Sequence, residues 1–186
     1  MALVGALHTC GVPAPLTSAL GDSMKTPRKD DLEVGPGRIL QKFTEQEARQ
    51  ILGEWIAVYA KNAHGANIEA FLWHAFSSGA FPSVCRQEAE LRYAEQVASE
   101  VVVLSNDGGS ALLTDSLPTT CNVSDYMVFP RNLAWSMAFT HEDGWLGPYF
   151  AKHQRYDSLV AENVKGIREA KRKALEAERA KREGWR

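Results

Sequence analysis

Cysteine is scarce in this chain: Cys10, Cys85 and Cys121 are three in 186 residues. An odd number at wide spacing, with no Cys-x-x-Cys or Cys/His pattern, argues against a zinc ribbon or a disulfide framework. Reduced thiols fit a cytoplasmic chain, with Cys85 and Cys121 as small buried hydrophobes. Long apolar runs are missing too. None approaches the roughly 18 residues of a membrane-spanning helix, so no membrane partner is expected. Charge of one sign is also lacking. With 21 Lys/Arg against 23 Asp/Glu the net charge is −2, and no overall field draws nucleic acid.

Motif chemistry is equally sparse. Asp107-Gly108-Gly109-Ser110 lacks the lysine and the length of a phosphate loop. There is no Gly-x-Ser-x-Gly elbow, no helical His-Glu-x-x-His spacing and no cysteine in a nucleophile context. No catalytic residue, cofactor or metal is therefore assigned.

At 45% hydrophobic and 24% charged residues, the composition is that of an ordinary globular domain with tails. Residues 1–37 hold four prolines and five glycines without a sustained period, and read as a disordered tail. An upstream-placed start codon explains them as plainly. The apolar start lacks a basic segment and is broken by His8 and prolines, so a secretory leader is not expected.

A capping box, Thr44-Glu45-Gln46-Glu47, opens a helix whose stripe is Ala48, Ile51, Leu52, Trp55, Ile56, Tyr59 and Ala63. That stripe is expected to pack on the strand bearing Trp135, Met137 and Phe139. Ala70–Phe76 (AFLWHAF) is flush with apolar residues; a strand competes with a buried helical turn, and the strand is favoured. Residues 83–98 read as a second helix. Glu100–Ser105 is a strand by its β-branched content, followed by the turn Asn106-Asp107-Gly108-Gly109. Ala111-Leu112-Leu113 returns as a strand or starts a short helix. Asp125–Phe129 and Ala134–His141 are further strands, and their short connection favours antiparallel pairing.

From Arg155 to Arg186 ten Lys/Arg face six Asp/Glu, net +4, while the other 154 residues hold 11 and 17, net −6. A stripe of Leu159, Val160, Val164 and Ile167 thins to alanine, as in a solvated helix that frays. Docking on an acidic partner or weak phosphate contact is the alternative. Tyr156 and Trp185 sit at the two ends and do not interleave the bases, so a nucleic-acid platform is not expected.

Trp135–Phe150 (WSMAFTHEDGWLGPYF) concentrates most of the candidate chemistry. Strand alternation sets His141 on the face of Trp135, Met137 and Phe139, with Glu142 opposite. A satisfied core-edge histidine is the plainer role for His141, and likewise for His74. The sharper alternative is convergence of His74, Asp125, His141 and Glu142 in an acid–base or metal site. Trp145 and Tyr149 either fold back over the sheet edge, which is favoured, or form an exposed protein-binding anchor.

Phe71–Gly79 (FLWHAFSSG), Asp125–Glu142 (DYMVFPRNLAWSMAFTHE) and Gly147–Phe150 (GPYF) together resemble the bacterial family catalogued as domain of unknown function 4275. The resemblance covers roughly Ile39 to Phe150. The long N-terminus and the basic C-terminal helix depart from the family's compact form. The family has no established activity, so the resemblance supplies no catalytic residue. By analogy, small α+β bacterial domains of this style serve as immunity or antitoxin-like binding proteins.

The expected architecture is α+β: an antiparallel sheet of about four strands with helices packed on one face. Residues 38–155 form that single domain and residues 156–186 a charged C-terminal helix. The expected function is a non-enzymatic cytoplasmic module with a protein partner. A small hydrolase or metal-dependent enzyme using His74, His141 and Glu142 is the alternative. Oligomeric state is left open.

Overall fold

The structure, a computed structural model, describes residues 32–142, 145–182 and 184. Expectations for residues 1–31, Gly144 and Trp185 lie outside them.

Strands β1 (Val34–Gly35), β2 (Ile39–Lys42), β3 (Ser83–Cys85), β4 (Val101–Ser105), β5 (Ala111–Thr114), β6 (Thr120–Cys121), β7 (Tyr126–Phe129), β8 (Trp135–Phe139) and β9 (Tyr149–Lys152) alternate with helices α1 (Glu45–Tyr59), α2 (His74–Ser77), α3 (Arg86–Ala94) and α4 (Tyr156–Arg182). Seven strands form one sheet in the order β2-β5-β4-β7-β8-β9-β3, every neighbouring pair antiparallel. β1 and β6 form a separate pair. The α+β class and the antiparallel pairing stand, but the sheet has seven strands where about four were expected. The additions, β2, β3 and β9, have three or four residues each, too short for period-2 patterning to register.

Helices cover both faces, not one. Every residue of β4, β5 and β7 is buried. Alternation sends Val102, Leu104, Met127, Phe129 and Ala138 toward α1 and α2. It sends Val103, Val128, Trp135 and Met137 toward α3 and the start of α4.

The capping box at Thr44 is present and starts α1. Trp55 is fully buried, but on the opposite side of β8 from the expected face. Its Nε1 donates to Ser136 Oγ at 2.9 Å, so Trp55 meets Ser136 and Ala138 while Trp135 and Met137 face away.

AFLWHAF is not a strand. Asn106 Oδ1 accepts from Leu72 N at 2.8 Å and Asn106 Nδ2 donates to Ala70 O at 2.8 Å. The β4–β5 turn thus satisfies this backbone from the side. His74, Ala75 and Phe76 then donate to carbonyls three residues back, and the turn tightens into α2. The helix expected over 83–98 begins instead as edge strand β3, which pairs with β9; Cys85 is exposed rather than buried. Within the expected tail, Leu32 is buried and Val34–Gly35 pairs with β6.

α4 is anchored by its first turns. Leu159 is buried, its carbonyl accepts from Asn132 Nδ2 at 3.0 Å, and the Lys152 ammonium lies 4.3 Å from the Tyr156 ring centroid. Residues 168–179 are all exposed. Two truncations separate these parts. Removing residues 168–186 should shift the melting temperature by no more than about 2 °C, the effect of surface changes. Removing residues 157–186 strips Leu159 from the core and should cost about 2–5 kcal/mol in urea unfolding. Equal stability of the two proteins would show that the first turns do not hold the domain.

Candidate functional site

β7 and β8 run antiparallel with Tyr126 opposite Phe139. Asp125, just before β7, therefore meets Thr140 and His141, just after β8. Here Asp125 Oδ1 accepts from Trp73 Nε1 at 3.0 Å, from His141 N at 3.2 Å and from His141 Nδ1 at 2.9 Å. One carboxylate thus joins the α2 segment to the ends of two strands.

Asp125 and His141 are brought together; His74, on a helical turn rather than a strand, lies beside the same two aromatic rings as His141 but has no hydrogen bond to either group among the described residues. The His141 ring lies 4.9 Å from the Phe71 centroid and 6.1 Å from Trp73. His74 lies 5.6 and 4.3 Å from the same two rings. His74 Nδ1 donates to Asn67 O at 2.8 Å, so its partner is a carbonyl and not the Asp125 carboxylate.

The expected facing of His141 and Glu142 is corrected. β8 ends at Phe139, so alternation stops before either residue. Phe139 packs with Tyr93 and Tyr126 on one face. His141 instead rests on Phe71 and Trp73, which pack with the α1 side of the sheet. Glu142 curls back so that its Oε1 is 3.8 Å from His141 Nε2. Its other oxygen, Oε2, is buried with no hydrogen-bond partner among the described residues. Such a group costs on the order of 1–3 kcal/mol, more when charged.

Trp145 and Tyr149 part ways. Tyr149 starts β9, is buried, and stacks on Trp73 at 6.2 Å. Burial pushes its phenol above the usual value, with Cys85 and Glu142 adding to the shift. Trp145 is 69% exposed. Arg86 holds the loop that carries it: the guanidinium donates to Trp145 O at 2.7 and 3.1 Å, and Arg86 N donates to Pro148 O at 2.8 Å. To do so Arg86 adopts a φ of +58°, a region costing a non-glycine residue roughly 1–2 kcal/mol. Gly147 closes the loop against Thr140, whose Oγ1 occupies the space a Cβ would need.

The sequence offered no sign of Arg86, since a left-handed arginine has no pattern. Phe71 and Trp73 were visible only as part of an apolar run. Among the described residues no three or more His, Cys, Asp or Glu are grouped to hold a metal ion.

The Asp125 hydrogen bond raises the His141 pKa above the usual imidazole value, against partial desolvation. A raised folded-state value stabilises the fold fully below the unfolded value, about 6.5. That contribution is lost as pH rises through the folded value. A proton NMR titration should give His141 a midpoint above about 6.5, and Asp125→Asn should lower it. A midpoint unmoved by that substitution would remove Asp125 as the cause.

Neither curated proteins nor solved structures provide a match to this chain. One family model matches residues 41–150, from β2 into β9, and it is described as a domain of unknown function, DUF4275. That span holds Asp125, His141, Arg86 and Trp145 and is more than half of the sequence, so the chain belongs to the DUF4275 family.

Proposed function

We propose that the chain is a non-enzymatic, cytoplasmic protein-binding module of a bacterial cell, of the immunity or antitoxin-like kind, with Trp145 as its anchor. The observation that carries this is an indole left 69% exposed on a backbone that Arg86 clamps. Large aromatic side chains on preorganised backbone are the usual centres of interface energy, because little entropy is lost on docking. The strained Arg86 supports the same reading, since strain persists where the surroundings over-determine it. Free thiols at Cys85 and Cys121 fit a reducing compartment. The immunity-like assignment is an analogy of size and fold style.

The test is binding of the purified full chain to the product of its adjacent gene, measured by calorimetry. Trp145→Ala should weaken the complex by about thirtyfold or more, the effect of losing a 2 kcal/mol anchor. Unchanged affinity would remove Trp145 from the interface.

A small hydrolase is the alternative, and the Asp125–His141 pair favours it. A histidine whose Nδ1 is held by a carboxylate is oriented as a general base, with Nε2 turned to a reacting group. On this reading His141 acts, Glu142 assists from 3.8 Å, and His74 lies beside the same two aromatic rings. Screening ester and amide substrates would expose it. An activity lost in His141→Ala with unfolding unchanged establishes the enzyme; no activity in the wild type retires it.

A further inference from the structure

The seven-stranded sheet has two edges, and they are not alike. β2 closes one with a bulge between Ile39 and Gln41, a device that spoils further pairing. β3 closes the other with an unbroken register, Ser83, Val84 and Cys85 against Ala151, Phe150 and Tyr149.

The way the β3 backbone faces follows from its neighbours. Arg86 N donates to Pro148 O at 2.8 Å. Bonds in an antiparallel ladder alternate by residue, so Val84 turns its backbone groups to β9, while Ser83 and Cys85 turn theirs away. The other edge of β9 agrees. His153 N donates to Ala134 O at 2.9 Å, so Tyr149 and Ala151 bond to β8 and Phe150 bonds to β3. Cys85 is the N-cap of α3, and its carbonyl is taken up by the first turn of that helix. The Ser83 N–H, the Ser83 C=O and the Cys85 N–H remain at the open edge, with no hydrogen bond among the described residues. Such a row is a template for another extended segment.

Charge selects the kind of segment. A groove of about 390 Å³ lies against β3 on the Val84–Phe150 face, and its charged lining is Lys152, Arg92 and Glu88. Arg92 and Glu88 are 3.6 Å apart and offset one another. Lys152 has no ion pair among the described residues. It rests on the Tyr156 ring, a contact that fixes the ammonium without neutralising it. Lys152 follows Ala151, the partner of Ser83, and so marks the start of β3. At the other end the Arg86 guanidinium is held by the Trp145 carbonyl, again a neutral partner. Antiparallel pairing of two copies of this chain would set the Arg86 end of each against the Lys152 end of the other, like charge on like. An acidic segment meets both.

We propose that the open edge of β3 takes up an extended, acidic segment of a protein partner as an eighth strand of the sheet. Main-chain bonds from Ser83 and Cys85 hold it, and Lys152 and Arg86 favour acidic side chains toward its two ends. β3 has only three residues, so the ladder is short and the charges carry the selection. The inference rests on the binding-module reading for the existence of a partner. It adjoins Trp145 through Arg86 and does not need the indole.

The probe is a blocked heptapeptide of alternating valine and threonine with glutamate at both ends. It is compared with a lysine-ended form and with a form N-methylated at alternate residues. Each is titrated into the full chain and followed by amide NMR shifts and hydrogen exchange. In the free chain the Ser83 and Cys85 amides should exchange much faster than the Val84 amide. The glutamate peptide should give saturable shifts centred on Ser83–Cys85 and slow those two amides. Lysine ends should weaken binding by about tenfold or more, and N-methylation should abolish it. Ser83→Pro removes an N–H that bonds nothing within the chain, so it should abolish peptide binding with the melting temperature nearly unchanged. Lys152→Gln is the second variant and should weaken the glutamate peptide several-fold. Trp145→Ala should leave peptide binding within about twofold, which separates failure of the anchor from failure of the edge. The proposal is overturned if the glutamate peptide does not saturate, if the lysine or N-methylated form binds equally, if neither the Ser83 nor the Lys152 variant weakens binding, or if the chain alone sediments as a dimer that Ser83→Pro dissociates.

Discussion

The central strands are buried on both faces, and this constraint sets the rest of the molecule. β4, β5 and β7 expose nothing, so neither face of the sheet can be left to water. A sheet with two apolar faces requires a layer on each. α1 and α2 supply one, and α3 with the opening of α4 supplies the other. Most of the large polar side chains trapped between layers are satisfied individually, whereas the buried Thr114 and Thr140 hydroxyls find no hydrogen-bond partner among the described residues. Trp55 meets Ser136, Tyr59 OH donates to Leu133 O at 2.7 Å, and Tyr93 OH donates to Pro118 O at 2.8 Å. Buried hydroxyls and indoles left without such partners would cost more than their bonds return.

The Asp125 carboxylate does for the loops what burial does for the strands. It ties α2, the entry to β7 and the exit from β8 at one point. A purely structural joint explains all three bonds without invoking chemistry. Glu142 is what this explanation leaves over: a carboxylate oxygen out of water with no donor among the described residues, beside a histidine whose Nε2 is 3.8 Å from its partner oxygen. Protonation of His141 gives that corner a positive charge between Asp125 and Glu142. The same corner leads directly into the turn that carries Trp145, whose N–H donates to Glu142 O at 3.0 Å. The exposed anchor and the polar cluster therefore share one backbone.

What was legible in the sequence follows from which signals are local. The capping box, the β-branched run of β4 and the Asn-Asp-Gly-Gly turn depend on neighbours a few residues apart, and all appear where the pattern placed them. AFLWHAF misled because its backbone is satisfied by Asn106, 34 residues from Leu72; no local pattern encodes such a bond. The wrong face for Trp55 has a similar cause. Its stripe was correct, but both faces of β8 are buried, so apolar content alone could not choose between Met137 and Ala138. His141 and Glu142 were misplaced because alternation was carried past Phe139, the end of the strand. The meeting of Asp125 and His141 survived that error, since strand pairing sets which loop ends meet.

β9 shows how little chain is needed to carry several roles. Its four residues pair with β8 on one side and β3 on the other. Tyr149, at its start, stacks on Trp73 beside His141. Lys152, at its end, faces Tyr156 on the other side of the sheet. The two ends are separated by about 10 Å of extended backbone, within a strand whose first three residues are buried. Being paired on both edges and packed on both faces, β9 gives its two ends a fixed spacing. A rigid strand of that kind is a better scaffold for precise side-chain placement than a loop. Trp145 lies in the loop that enters β9 and Lys152 at its exit, so both side chains reach water beside backbone that is held in place.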